Sequence, residues 1–166
     1  MSWRVDARGY AMASEQQVFV RLLRVADAIT RRMTDALDPH RLTLSQYSVL
    51  EALRGAGDDG LACGQIAERM ITRDPDVTRL LDRLEERGLV SRHRGRPDRR
   101  VVRSQLTHEG QRVVALMDVE MGDIQIAHLG FMGKRNLGTL HGWLRTAEAP
   151  DPCRHPVLRH QSAKCV

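Results

Sequence analysis

Between Val77 and Leu106 the apolar pattern changes period at a glycine, and that change narrows the available folds more than any other feature of the chain. Val77, Leu80, Leu81 and Leu84 recur at i, i+3, i+4 and i+7, the spacing of one buried face of an α-helix. Gly88 follows, where a left-handed C-cap is wanted. Beyond it, LVSRHR and RVVRSQL each suit an extended strand, and Gly95, Pro97 and Asp98 between them are turn formers. The pair therefore predicts a β-hairpin, with Val102, Ser104 and Leu106 lining one side and Arg103 and the tip arginines facing out.

The helix that feeds this hairpin has a short companion before it. ACGQIAERM predicts a helix with Ile66, Ala67 and Met70 inward. ITRDPD then breaks the pattern, with Thr72 or Asp74 as a cap and Pro75 in a first helical turn. Two short helices joined by a tight turn have helix-turn-helix proportions. A hairpin placed directly after them is a wing.

Charge gives the hairpin a purpose. Six arginines fall between Arg92 and Arg103, with one aspartate, for a local net of +5. The whole chain holds 26 Lys and Arg against 21 Asp and Glu, also +5, so the remainder sums to zero. An excess confined to one segment makes a local field suited to a polyanion. A wing tip of Arg96, Arg99 and Arg100 is placed to touch phosphates or enter a minor groove beside a recognition helix.

Longer helices flank this unit. SEQQVFVRLLRVADAITRRMTDAL opens with Ser14 and Gln17 in capping-box spacing and carries a stripe of Val18, Leu22, Val25, Ile29 and Met33. Phe19, Leu23 and Ala26 make that stripe wider than one packing partner needs. TLSQYSVLEALRGAG repeats the box with Thr43 and Gln46 and buries Tyr47, Leu50 and Leu53. Thr107 caps a long helix with Val113, Leu116, Met117, Met121, Ile124 and Ile126 as its apolar set. A last helix, interrupted by Gly133, Gly138 and Gly142, ends before a proline-rich tail.

Several function classes lack their motifs. There is no nucleophile–base pair and no phosphate loop, so no enzyme and no cofactor are expected. Cys63, Cys153 and Cys165 are three, without CxxC spacing, and the histidines are scattered, so neither a disulfide framework nor a metal site is expected. No run of about eighteen apolar residues exists and the N-terminus has no apolar stretch, which predicts a cytoplasmic protein with no membrane partner.

Three segments resemble the MarR family of bacterial transcriptional regulators: LTLSQYSVL, IAERMITRDPDVTRLLDRLEERGLVSR and DRRVVRSQLTHEG. The last matches the family's wing pattern through Asp98, Arg100, Leu106, Thr107 and Gly110. The likeness covers roughly residues 14–147. It implies an all-α protein with a small β-hairpin wing, a winged helix-turn-helix DNA-binding domain flanked by N- and C-terminal dimerisation helices. The expected organisation is a flexible extension at 1–13 and a winged-helix domain at 14–149. Within it, 14–38 and 107–149 would dimerise and 43–106 would bind DNA, leaving a disordered tail at 150–166. The implied partners are double-stranded DNA, a second copy of the chain and a small-molecule effector, often phenolic or lipophilic.

On the recognition helix, Arg79, Asp82 and Pro75 point away from the apolar stripe, with Arg83 beside them and Thr78 on the flank. Arg73, Asp76, Thr78, Arg79 and Arg83 are the candidate contacts of this helix; arginine suits guanine or phosphate, and Asp76 could accept from a cytosine amino group. Arg94, Arg96 and Arg99 are the wing contacts, and the family pattern pairs Asp98 with Arg100 to stiffen the hairpin. Cys63, among Leu61 and Ile66, reads first as a small core residue; the alternatives to a ligand-released repressor are a thiol-responsive regulator using Cys63 and a winged helix that binds an acidic protein.

Overall fold

The computed structural model describes residues 14–72, 74–94 and 101–148. The expected N-terminal extension and C-terminal tail lie outside those residues. By backbone contacts the chain divides into two compact units, one running to Ile124 and one starting at Gln125.

The first unit holds α1 (Glu15–Leu37), α2 (Leu44–Arg54), β1 (Leu61–Ala62), α3 (Cys63–Arg69), α4 (Val77–Glu86), β2 (Val90–Arg94), β3 (Val102–Leu106) and most of α5 (His108–Leu129). The second holds the end of α5, a short 3-10 turn at Gly130–Met132 and α6 (Gly133–Glu148). Both expected capping boxes form. The Ser14 hydroxyl accepts from the Gln17 N–H and Thr43 from Gln46, while each glutamine side chain accepts from the capping residue's own N–H.

The core of the first unit is built around α2. Val49, Leu50, Leu53, Leu37, Ile66, Leu84, Val114 and Met117 are almost fully buried together. On α5 the inward line is Gly110, Val114, Met117, Met121 and Ile124, with Val113, expected in the apolar set, partly buried against it. Leu116 and Ile126, expected in the apolar set, are exposed. Ala67 is exposed as well; on α3 only Ile66 faces the core, with Met70 buried just beyond its end. A chain of polar contacts fastens α2 to α5. The Tyr47 hydroxyl donates to Glu51 Oε1 at 2.9 Å, and Arg54 pairs with both Glu51 and Asp118. Burial and the bond to Glu51 hold the Tyr47 phenol well above its ordinary pKa, and the bond to Asp118 raises that of the Arg54 guanidinium.

The sheet has the order β1-β3-β2, all antiparallel, with Val90 opposite Leu106, Arg94 opposite Val102 and Leu61 opposite Ser104. The two-residue β1 strand is too short to carry a sequence signal. It turns Arg103 inward: the residue expected to face out is half-buried and donates to the Gly60 carbonyl at 3.0 Å. Ser104 and Leu106 do face the body, but Val102, nearest the tip, is exposed.

The turn between α3 and α4 is held from beneath by Ser48 of α2, which is fully buried. Its hydroxyl oxygen accepts from the Ile71 N–H at 2.5 Å and the Thr72 N–H at 3.4 Å. Ser48→Ala removes the acceptor and leaves those N–H groups without it, so stability should fall by about 1–3 kcal/mol. Urea denaturation reads this directly; an unchanged midpoint would mean the turn is held by other contacts.

Candidate nucleic-acid interface

The second helix of the helix-turn-helix, α4, has four buried residues on one side, Val77, Leu80, Leu81 and Leu84. Its cap is Asp76, not Thr72 or Asp74 as expected. Asp76 Oδ1 accepts from the Arg79 N–H at 3.1 Å. Asp74 instead accepts from the Asp76 N–H at 2.9 Å, a local turn that sets the entry of the helix, and Pro75 lies before the cap rather than in the first helical turn. A carboxylate at this place completes an open helix end. Asp76 also lies 3.5 Å from Arg79 Nε, so it is already engaged by one helix end and one guanidinium.

Thr78, Arg79 and Arg83 are exposed, and Arg79 and Arg83 stand on the side of α4 away from the buried leucines. The guanidinium of Arg83 has no ion-pair partner among the described residues. Asp82 does not join them. It is half-buried on the flank, where Arg92 Nη2 reaches its Oδ1 at 2.6 Å.

Arg92, on β2, also donates to the Thr78 carbonyl at 3.3 Å and lies 3.5 Å from Glu85 Oε2. Two of the six arginines are thus turned against the body: Arg92 onto α4 and Arg103 onto Gly60. Arg94, the last residue of β2, is exposed where the wing leaves the sheet. Arg73, Arg96, Arg99 and the Asp98–Arg100 pair lie outside the described residues. The sequence did hold a signal for Arg92, because Asp82 and Glu85 are acids three apart on the helix that precedes its strand; what it lacked was the register that brings β2 alongside.

A second arginine fixes the far end of α4. Arg87 donates from Nη1 to the Arg41 carbonyl at 2.8 Å and from Nη2 to the His40 carbonyl at 2.9 Å. Those carbonyls belong to the turn after α1, where Arg41 has φ 52.

Cys63 is exposed, contrary to its reading as a core residue. It opens α3, and its Sγ lies 3.8 Å from Thr78 Oγ1. Among the described residues no group of three His, Cys, Asp or Glu side chains is arranged to hold a metal ion, and no helix is long and apolar enough to cross a membrane. An open cavity of about 250 Å³ lies between the end of α2, β3 and the first turn of α5, with Leu53, Arg54, Gln105 and Gln111 among its walls.

The winged arrangement has close relatives. Residues 41–101 match the family model described as the MarR family. The chain is 37% identical over 82 residues to the HTH-type transcriptional repressor MdtR of Bacillus subtilis, covering 49% of this chain and 52% of MdtR. It thus spans about half the length of that curated relative. The crystal structure of a MarR transcription factor from Planctomyces limnophilus superimposes with a TM-score of 0.61 at 31% identity, over 84% of this chain and 98% of that one. CouR from Rhodococcus jostii RHA1, solved with p-coumaroyl-CoA bound, gives a TM-score of 0.74 at 25% identity, over 85% of this chain and 98% of CouR.

Proposed function

Since the chain belongs to the MarR family of transcriptional regulators, we propose that it acts as a homodimeric, sequence-specific DNA-binding repressor on a pseudo-palindromic operator and is released by a small apolar or phenolic ligand. The observation that carries the DNA-binding part is the face of α4. Arg79 and Arg83 stand free of the core on the second helix of a helix-turn-helix, and Arg94 is exposed at the outer end of β2. Arginines placed this way read base edges from the helix and neutralise phosphates from the wing. MdtR, a named repressor, supports the sign of regulation, and CouR with its bound acyl-CoA supports an organic effector.

In this reading Thr78, Arg79 and Arg83 enter the major groove, with Arg73 near the same groove, and Asp76 serves as the cap that aims the helix. Arg94, Arg96 and Arg99 reach phosphates or the minor groove, with Asp98 and Arg100 stiffening the tip. The test is fluorescence anisotropy at several salt concentrations on two duplexes, one selected by the protein from a random library and one scrambled. Arg79→Ala should lose discrimination between them. The Arg96→Ala/Arg99→Ala variant should weaken both alike and reduce the salt slope by about 1.8 for two lost phosphate contacts. Unchanged affinity and slope in the wing variant would make the arginines a solvated charge run. Binding to an acidic protein, but to neither duplex, would establish the rival reading.

A thiol-responsive form of the same function is favoured by one contact, the exposed Cys63 thiol against Thr78. Oxidation there would place a larger polar group beside the recognition helix. Peroxide that releases the unsubstituted protein from the selected duplex, but not Cys63→Ser, would establish it.

A further inference from the structure

Arg92 is one of the two wing arginines turned against the body. Arg92 is the innermost of the six, and its side chain is 24% exposed. Its guanidinium spans three places on α4: the Thr78 carbonyl at 3.3 Å, Asp82 Oδ1 at 2.6 Å and Glu85 Oε2 at 3.5 Å. Positions 78, 82 and 85 lie along one flank of the helix, next to Arg79 and away from Arg83.

We infer that Arg92 is a positioning residue for DNA recognition: it locks the rotation of α4 against the wing, and it pairs with Asp82 and Glu85, which would otherwise stand uncovered on the flank of α4. This rests on the DNA-binding reading above. The leucine face alone leaves the helix some freedom to roll, because apolar packing is not directional. The hydrogen bonds from Arg92 Nη2 to Asp82 Oδ1 and the Thr78 carbonyl are directional, and Glu85 lies within ion-pair distance of Nε. It is anchored on β2, whose register with β3 is set from Val90–Leu106 to Arg94–Val102. Wing and recognition helix are thereby joined as one body, so that Arg79 and Arg94 approach DNA at a fixed separation. The charge effect acts in the same direction. Without Arg92, Asp82 and Glu85 present two uncovered carboxylates on the helix flank.

The consequence differs from that of losing a phosphate contact. Arg92→Met keeps the apolar stem and removes the fork. Its preference for the selected over the scrambled duplex should fall about tenfold, comparable to losing readout of one base pair. The slope of log affinity against log salt should stay as it was, since a lost phosphate contact would lower it by about 0.9. Asp82→Asn should shrink the same preference from the other partner, and the double variant should lose little more than Arg92→Met alone, because one contact is removed in both. Arg92→Lys keeps the charge but cannot span three sites, so it should recover affinity for both duplexes more than it recovers preference.

The measurement is anisotropy on both duplexes across salt, on variants whose folding is checked by thermal unfolding, with Arg92→Lys and Asp82→Asn carrying the test if Arg92→Met fails to fold. An Arg92→Met protein that keeps its preference, or one whose slope drops by about one unit while both duplexes weaken equally, overturns the positioning role. Failure of the unsubstituted protein to prefer either duplex overturns the DNA-binding reading on which it stands.

Discussion

Gly110→Ala is expected to lose a large share of the stability of the first unit. A β-carbon built at residue 110 would lie 2.1 Å from the Leu89 carbonyl oxygen, 3.1 Å from its carbon and 3.3 Å from Leu106 Cδ2. That oxygen is backbone and already accepts from the Thr107 N–H at 3.1 Å. Thr107 in turn donates its hydroxyl to the Gly88 carbonyl at 2.6 Å and accepts from the Gly110 N–H at 3.0 Å. The residues therefore form a closed joint between the end of α4, the start of β2 and the first turn of α5, and a methyl group opens it. Overpacking against backbone together with a lost buried hydrogen bond should amount to about 3–5 kcal/mol. For a domain with a total stability of about 5–15 kcal/mol, that is a large share. Gly64→Ala provides the contrast, because a β-carbon there meets nothing within 4 Å and the residue is helical; it should stabilise by up to about 1 kcal/mol. Guanidinium denaturation followed by circular dichroism measures both. A Gly110→Ala midpoint equal to that of the unsubstituted chain would mean that α5 does not pack against Leu89.

The same joint shows where sequence reading succeeds and where it stops. Thr107 and Gly110 stand out as a motif in the chain, yet their reason lies in a carbonyl some twenty residues earlier. Local chemistry is legible: the boxes at Ser14–Gln17 and Thr43–Gln46 need only residues three apart, and both form. The wing is legible from a change of period and its turn formers. At Asp74–Pro75–Asp76 two carboxylates compete for the same job, and only backbone geometry assigns the cap to Asp76. The arginines are less legible still. Sequence counts their charge equally, but Arg92 is taken by Asp82 and Glu85 and Arg103 by the Gly60 carbonyl, partners supplied by other elements. Cys63 was misread for a similar reason: apolar neighbours at Leu61 and Ile66 suggested burial, whereas the first turn of α3 points the thiol outward to Thr78.

Phe19→Glu combined with Leu23→Glu is expected to convert the protein from a dimer to a monomer and to abolish tight operator binding. Among the described residues the C-terminal half of α1 packs on the core, with Leu37 fully buried and Ile29, Met33 and Ala36 against it. The N-terminal half exposes Val18, Phe19, Val20, Leu22, Leu23 and Val25 within eight residues, Phe19 at 61% and Leu23 at 54%. Scattered apolar residues on a surface are ordinary, but a contiguous set this size on one helix marks an interface. Leu116 and Val119 of α5 are exposed too, as are Phe131 and Trp143 in the second unit. In the proposed homodimer, a second copy of the chain would supply an apolar partner of matching chemistry through a two-fold axis. Positions 19 and 23 are one turn apart on one face, so two glutamates there would be desolvated together or keep the copies apart. A penalty of about 4 kcal/mol raises the dimer dissociation constant roughly a thousandfold. The 18.8 kDa chain should then sediment at single rather than double mass at micromolar concentration. Helicity by circular dichroism should change little, since neither side chain is buried in the monomer. Operator affinity should fall further than for any single contact residue, because a monomer engages one half-site and forfeits the second. A double variant that still sediments as a dimer, or an unsubstituted protein that is monomeric throughout, would show that the α1 face serves some purpose other than self-association.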